Sequence, residues 1–156
     1  MTNNHLLEIK DYGQSIWMDH LNRNLIESGE LQQMIETRGL RGLTSNPAIF
    51  ESAIANNQIY DADIEAGIKA GKSVREIYES LIFEDIRNAC DLFSAIYEES
   101  GGLDGYVSIE VSPHLARDTQ GTIEEALRFY HSIARENVMI KIPGTPEGFP
   151  AVERII

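Results

Sequence analysis

Four short apolar runs, each followed by a helical stretch, restrict the fold of this chain more than any other feature. Ser15-Ile16-Trp17-Met18-Asp19, Gly42-Leu43-Thr44-Ser45, Tyr106 to Val111 and Val138-Met139-Ile140-Lys141-Ile142 read as strands. The first is followed by a helical stretch from about Leu21 to Arg38, broken at Ser28-Gly29, with Gly39 where a C-cap belongs. Asn46-Pro47 ends the second strand, because proline drives the preceding residue out of the helical region and itself suits a first helical turn. From Pro47 to about Gly71 the pattern is helical in short pieces. Ser73-Val74-Arg75-Glu76 is a capping box opening the longest helix, whose apolar stripe runs through Ile77, Leu81, Ile86, Cys90 and Phe93 until Ser100-Gly101-Gly102. Thr122-Ile123-Glu124-Glu125 reads as a second capping box, leading a helix with Ile123, Ala126, Leu127, Tyr130, Ile133 and Ala134 on one face. A final helix begins near Glu147.

Strands that alternate with helices form right-handed βαβ units and a parallel sheet, so the fold class is α/β. Parallel strands covered on both faces account for the nearly unbroken apolar run around Lys141. A closed (β/α)8 TIM barrel takes about 250 residues and eight strands. With 156 residues and four strands, residues 1–156 read as a single domain equal to the first half of such a barrel, truncated after its fourth strand, or as an open sheet. A half-barrel leaves two strand edges unpaired and an inner face uncovered, which predicts that two copies pair into a homodimer completing the barrel.

Charge excludes several partners. Thirteen Lys and Arg against 25 Asp and Glu leave a net charge of −12, which repels nucleic acid. No apolar run approaches the roughly 20 residues a membrane span requires, and Met1-Thr2-Asn3-Asn4-His5 lacks the layout of a secretory signal. The lone Cys90 forms no internal disulfide and suits a small core position, so the expected location is cytoplasmic. His5, His20, His114 and His131 have no metal-binding spacing, and Gly144-Thr145-Pro146-Glu147-Gly148 is not a phosphate loop; neither metal nor cofactor is expected.

The informative residues are polar ones in or beside apolar strands. Lys141 shares a strand face with Met139. A lysine desolvated there would populate the free amine that attacks carbonyls, whereas a lysine on an edge strand would simply snorkel to solvent. Glu110 shares a face with Tyr106 and Ser108, which suits either a site or a solvated surface. Asp19, and Ser45 or Asn46 in Thr44-Ser45-Asn46-Pro47, could equally be helix caps. Yet Asp19, Asn46, Glu110 and Lys141 each fall at the C-terminal end of a successive strand, the edge where α/β folds place their chemistry. A lysine, two carboxylates and an amide are the parts required for imine formation and carbon–carbon cleavage.

These residues resemble the transaldolase family. Gly42-Leu43-Thr44-Ser45-Asn46-Pro47-Ala48-Ile49-Phe50 is similar to one signature of that family, and Val138 to Thr145 to the stretch around its Schiff-base lysine. Ser108-Ile109-Glu110-Val111-Ser112 and Ile16-Trp17-Met18-Asp19 fit in order and spacing, and the long insertion between the second and third strands resembles the longer bacterial type. The resemblance implies that Lys141 forms the imine and Asp19 is the general acid/base at the sugar hydroxyl. It further implies that Asn46 and Thr44 hold the dihydroxyacetone portion and that Glu110 acts through a water. The implied reaction transfers dihydroxyacetone from sedoheptulose 7-phosphate or fructose 6-phosphate to glyceraldehyde 3-phosphate or erythrose 4-phosphate, in the non-oxidative pentose phosphate pathway.

Family members continue for four more βα units, which carry the groups that clamp the sugar phosphate; no residue here takes those roles. Two other readings stand beside transaldolase: a dihydroxyacetone-type class I aldolase, and a non-catalytic half-barrel acting as an assembly module.

Overall fold

The computed structural model describes residues 4–156. Met1 to Asn3, with which the argument against a secretory signal began, lie outside the described residues. Four strands, β1 (Ile16–Asp19), β2 (Leu40–Thr44), β3 (Val107–Glu110) and β4 (Val138–Lys141), form a parallel sheet in the order β1-β2-β3-β4. Between and after them run α1 (Arg23–Glu27), α2 (Glu30–Arg38), α3 (Pro47–Ala55), α4 (Asp61–Lys69), α5 (Val74–Glu99), α6 (Thr119–Ile133) and α7 (Gly148–Ile155). This is the expected α/β arrangement, consistent with one half of a (β/α)8 barrel. Three 3-10 turns that the sequence pattern did not suggest add His5–Tyr12, Gln58–Tyr60 and Pro113–Leu115.

Most local signals act as the sequence suggests. The left-handed Gly39 (φ 68°) closes α2, and Ser73 and Glu76 form the reciprocal capping box at the head of α5. Thr122 does not cap α6. Asp118 takes that place four residues earlier, its Oδ1 accepting from the Gly121 amide at 2.9 Å, while Thr122 Oγ1 donates to the Leu115 carbonyl. The inward face of α6 also differs from expectation. Glu125, Ala126, Phe129 and Ile133 are buried, whereas Leu127 and Tyr130 are exposed. Phe129 meets Phe83 edge-on at 5.0 Å, and Glu125 turns toward two arginines, so specific partners outweigh bulk hydrophobicity.

Alternation along the strands sorts the sheet into two unlike faces. Leu43, Val107, Ile109 and Val138 point to the helices and join Ile86, Ala89, Cys90 and Phe93 of α5 in one core. Cys90 is fully buried there, and desolvation pushes its thiol up to about 12. The other face carries Trp17, Gly42, Thr44, Ser108, Glu110, Met139 and Lys141. A Cβ on Gly42 would stand 2.3 Å from the Trp17 ring, so only glycine lets the indole lie against β2. No helix covers this face among the described residues, and Met139 is 42% exposed. The expectation of strands covered on both faces is therefore corrected: in these residues the helices cover one face. No helix of the described residues is long and apolar enough to cross a membrane.

Two charged clusters join the layers. Arg23 on α1 donates from Nε to Asp85 Oδ1 at 2.8 Å and from Nη1 to Asp63, while Tyr60 donates to Asp85 Oδ2 at 2.8 Å. Asp85 is fully buried; desolvation drives its carboxyl upward, against the opposing pull of Arg23 and Tyr60. The second cluster ties α5 to α6: Arg128 holds Glu79 in a fork at 2.6 and 2.8 Å, and Arg75 bonds Glu79 at 2.8 Å and also Glu125. Desolvation raises the Glu79 carboxyl, but the two guanidiniums outweigh it and hold it below its ordinary value.

Replacement of Arg23 by Met leaves the Asp85 carboxyl buried without its charge partner. It is expected to cost about 3–5 kcal/mol in urea unfolding; a loss under 1 kcal/mol would contradict that account. Glu79→Gln tests the second cluster through pH. Because the folded carboxyl titrates below the unfolded one, its stabilisation is present above the ordinary carboxylate range and disappears as pH falls through the folded value. The urea midpoints of parent and variant should differ at pH 7, and the gap should begin to close only once pH falls below the ordinary carboxylate value of about 4.3.

Candidate active site

The C-terminal ends of the four strands gather four of the five residues singled out by the sequence, in two contacting pairs, and Asn46 follows just beyond the end of β2. Asp19 and Thr44 are the last residues of β1 and β2 and lie in register. Thr44 Oγ1 donates to Asp19 Oδ1 at 2.5 Å. Glu110 and Lys141, the last residues of β3 and β4, are likewise in register, and Lys141 Nζ stands 2.6 Å from Glu110 Oε1. Parallel pairing with short βα connections forces this arrangement, because each strand must end where its helix begins.

The structure separates the alternatives for each residue. Asp19 caps no helix: the N-cap of α1 is Asn22, whose Oδ1 accepts from the Leu25 amide at 2.8 Å. The Asp19 carboxylate is thus left exposed at the sheet edge with only Thr44 as hydrogen-bond partner among the described residues. Asn46 does cap α3, accepting from the Ile49 amide at 3.0 Å. That bond uses its oxygen and leaves the amide NH2 as a donor, so capping and ligand binding are compatible.

Asn46 also borders two cavities. One, of about 520 Å³, brings it together with Asp19, His20, Asn22 and Asn57 beside α3. The other, of about 540 Å³, lies on the helix side of the sheet and brings it together with Glu110, Ile109 and Phe129. Lys141 lines neither of them.

Lys141 differs from expectation in one respect. It points away from the helices, on the same face as Met139, Glu110 and Ser108, but it is not enclosed by apolar groups. Its side chain is 36% exposed and engaged by a carboxylate. The reason is the one-sided helical cover: the face that holds it has no second layer among the described residues. Glu110 contacts the amine directly, in the geometry of an ion pair.

Two features escaped the sequence reading. Ser108, on the inner face between Thr44 and Met139 in register, is 3% exposed, and its Oγ is the one buried side-chain polar atom among the described residues with no hydrogen-bond partner. A serine in a strand carries no signal by itself; only its surroundings make it unusual. The second feature is Glu125, whose Oε1 accepts from the Ser112 amide at 2.7 Å. That bond pins the connection that leaves Glu110, and Arg75 and Arg128 hold Glu125 in turn. The carboxylate that Thr122-Ile123-Glu124-Glu125 offered as part of a cap serves instead to fix a loop beside the site. No group of three or more His, Cys, Asp or Glu among the described residues is placed to hold a metal ion.

Comparison with known proteins identifies the family. Residues 16–156 match the family described as Transaldolase/Fructose-6-phosphate aldolase. A protein named Transaldolase from Trichodesmium erythraeum is 70% identical over the whole chain, and one named Transaldolase 2 from Nostoc sp. is 67% identical. A Transaldolase from Neisseria gonorrhoeae is 46% identical over 97% of the chain. The chain spans about two fifths of the length of these relatives: 41% of the first two and 43% of the third. Motifs, strand-end geometry and similarity along the whole length agree: this chain belongs to the transaldolase/fructose-6-phosphate aldolase family.

Proposed function

We propose that this chain carries the imine-forming half of a transaldolase, acting on ketose phosphates such as fructose 6-phosphate or sedoheptulose 7-phosphate. The observation that carries the reading is the Lys141–Glu110 contact of 2.6 Å at the same strand edge as Asp19 and Thr44. A lysine attacks a ketone only after losing a proton, and a carboxylate in direct contact is a path for that proton.

In this reading Lys141 Nζ gives a proton to Glu110 and its lone pair attacks the carbonyl carbon of the ketose. The carbon–nitrogen bond forms while the carbonyl oxygen takes up a proton released by the attacking nitrogen. Glu110 then returns a proton to that oxygen, water leaves, and an iminium remains. Asp19 accepts the proton of the hydroxyl on carbon 4; the bond between carbons 3 and 4 breaks, its electron pair moves into the iminium, and the aldehyde product departs. The three-carbon enamine on Lys141 adds to the aldehyde carbon of an incoming aldose phosphate, glyceraldehyde 3-phosphate or erythrose 4-phosphate, while Asp19 returns its proton to the aldehyde oxygen. Water then adds to the regenerated iminium, and its hydrolysis releases the new ketose and the lysine. Asn46 and Thr44 hold the hydroxyls of the dihydroxyacetone portion. The lysine serves as electron sink, so the residues fit a reaction that draws on neither metal nor organic cofactor. Such a reaction belongs to the non-oxidative pentose phosphate pathway in the cytoplasm. The name of the matched family also supports an aldolase that releases dihydroxyacetone; transfer of the unit to added erythrose 4-phosphate distinguishes the two.

Borohydride reduction during incubation with fructose 6-phosphate should leave a mass adduct on Lys141 that Lys141→Arg abolishes. With Asp19→Asn the trapped species should keep all six carbons. A folded chain that traps no adduct would overturn the reading. For these 156 residues alone, the reading includes pairing of two copies across the face bearing Trp17, Met139 and Lys141. Sedimentation at micromolar concentration should give a dimer, and a well-folded monomer would count against that part.

A further inference from the structure

We propose that Ser108 is a positioning residue of this site, its hydroxyl donating to Thr44 Oγ1 and thereby aiming Asp19 at the bond to be cleaved. Asp19, Thr44 and Ser108 lie side by side on neighbouring strands, in register and on one face of the sheet. Thr44 uses its single proton on Asp19 at 2.5 Å, so its oxygen retains lone pairs that are free to accept. Ser108 Oγ, on the next strand, is buried and unpartnered. Adjacent strands stand about 4.8 Å apart, so a change of serine rotamer suffices to bring the two hydroxyls into hydrogen-bond range. A buried hydroxyl without a partner carries a desolvation cost that this bond removes.

The bond would have a directional effect. With Ser108 donating, the Thr44 hydroxyl can no longer swing its proton toward β3 and is held facing Asp19, and hydrogen bonds in such a row strengthen one another. Met139, the register partner of Ser108 on its other side, offers only a weak thioether acceptor, so Thr44 is the stronger partner. Alanine at position 108 would remove no core packing, because Ser108 faces away from the helices and the core residues of β3 are Val107 and Ile109.

This inference rests on the proposed imine chemistry, and the experiment keeps the two apart. Chain and fructose 6-phosphate are mixed, quenched with borohydride at successive times, and the Lys141 adducts weighed. The total measures imine formation, and the conversion of six-carbon into three-carbon adduct measures the cleavage step assigned to Asp19. Ser108→Ala should leave the total unchanged and slow the conversion roughly five- to tenfold, the scale of one hydrogen bond. Thr44→Val should slow it as well, and the double variant should be no slower than Thr44→Val alone, since both changes break one row. Ser108→Thr, which keeps the hydroxyl, should restore most of the rate. If Ser108→Ala loses the circular dichroism of the parent, Ser108→Cys, with its weak donor, takes its place. Conversion at the parent rate, or effects of the two positions that simply multiply, would overturn the inference. A parent that traps nothing would overturn the functional reading and this inference with it, whereas normal trapping with an unaffected Ser108→Ala would remove this inference alone.

Discussion

The fold depends on one-sided packing of a parallel sheet against a long helix. Leu43, Val107, Ile109 and Val138 alternate with residues of the opposite face, and α5 presents Ile86, Ala89, Cys90 and Phe93 to them. Alternation with a period of two means that every residue beside these apolar anchors points the other way. Ser108, Glu110, Met139 and Lys141 share a face because Val107, Ile109, Val138 and Ile140 are committed to the helices. A slip of one residue would bury the charged side chains and expose the core, and this cost pins the register.

Chemistry accumulates at one edge for the same reason. Parallel strands all end on the same side, and each is followed by a helix that needs a cap. Asn46 satisfies α3 with its oxygen and keeps donors for a ligand. Asp19 is free for other work because Asn22 caps α1. Glu110 is steadied from behind, where Glu125 grips the Ser112 amide and two arginines grip Glu125. The other charged cluster, in which Arg23 meets Asp85 and Tyr60, ties α1 to the helices inserted between β2 and β3. Burial of that much charge is tolerated because every member has a partner.

The fold was legible to the extent that its signals are local. Gly39, Asn46-Pro47 and the Ser73 capping box act through their own neighbours, so reading them needs no knowledge of the rest. Thr122 shows where this fails. Its capping pattern was present, but Asp118 offered the same service one turn earlier, and the competition was settled by the chain entering from Leu115. The face of α6 shows the same limit: Leu127 and Tyr130 look like core residues by composition, but Phe83 and Arg75 are what α6 meets, and they select Phe129 and Glu125.

The sequence by itself determined the order of strands and helices, the parallel sheet, and the placement of Asp19, Thr44, Glu110 and Lys141 at strand ends with Asn46 just beyond one of them. Each of these follows from periodicity and capping within a few residues. Tertiary structure decided which of them touch: Asp19 with Thr44, Glu110 with Lys141, and neither pair with the other. It also decided that Lys141 is about one-third exposed and held by a carboxylate, and that Ser108 alone among the buried polar side chains of the described residues lacks a partner. Contacts across strands depend on register and on which face the helices cover, and those are properties of elements brought together from far apart in the chain.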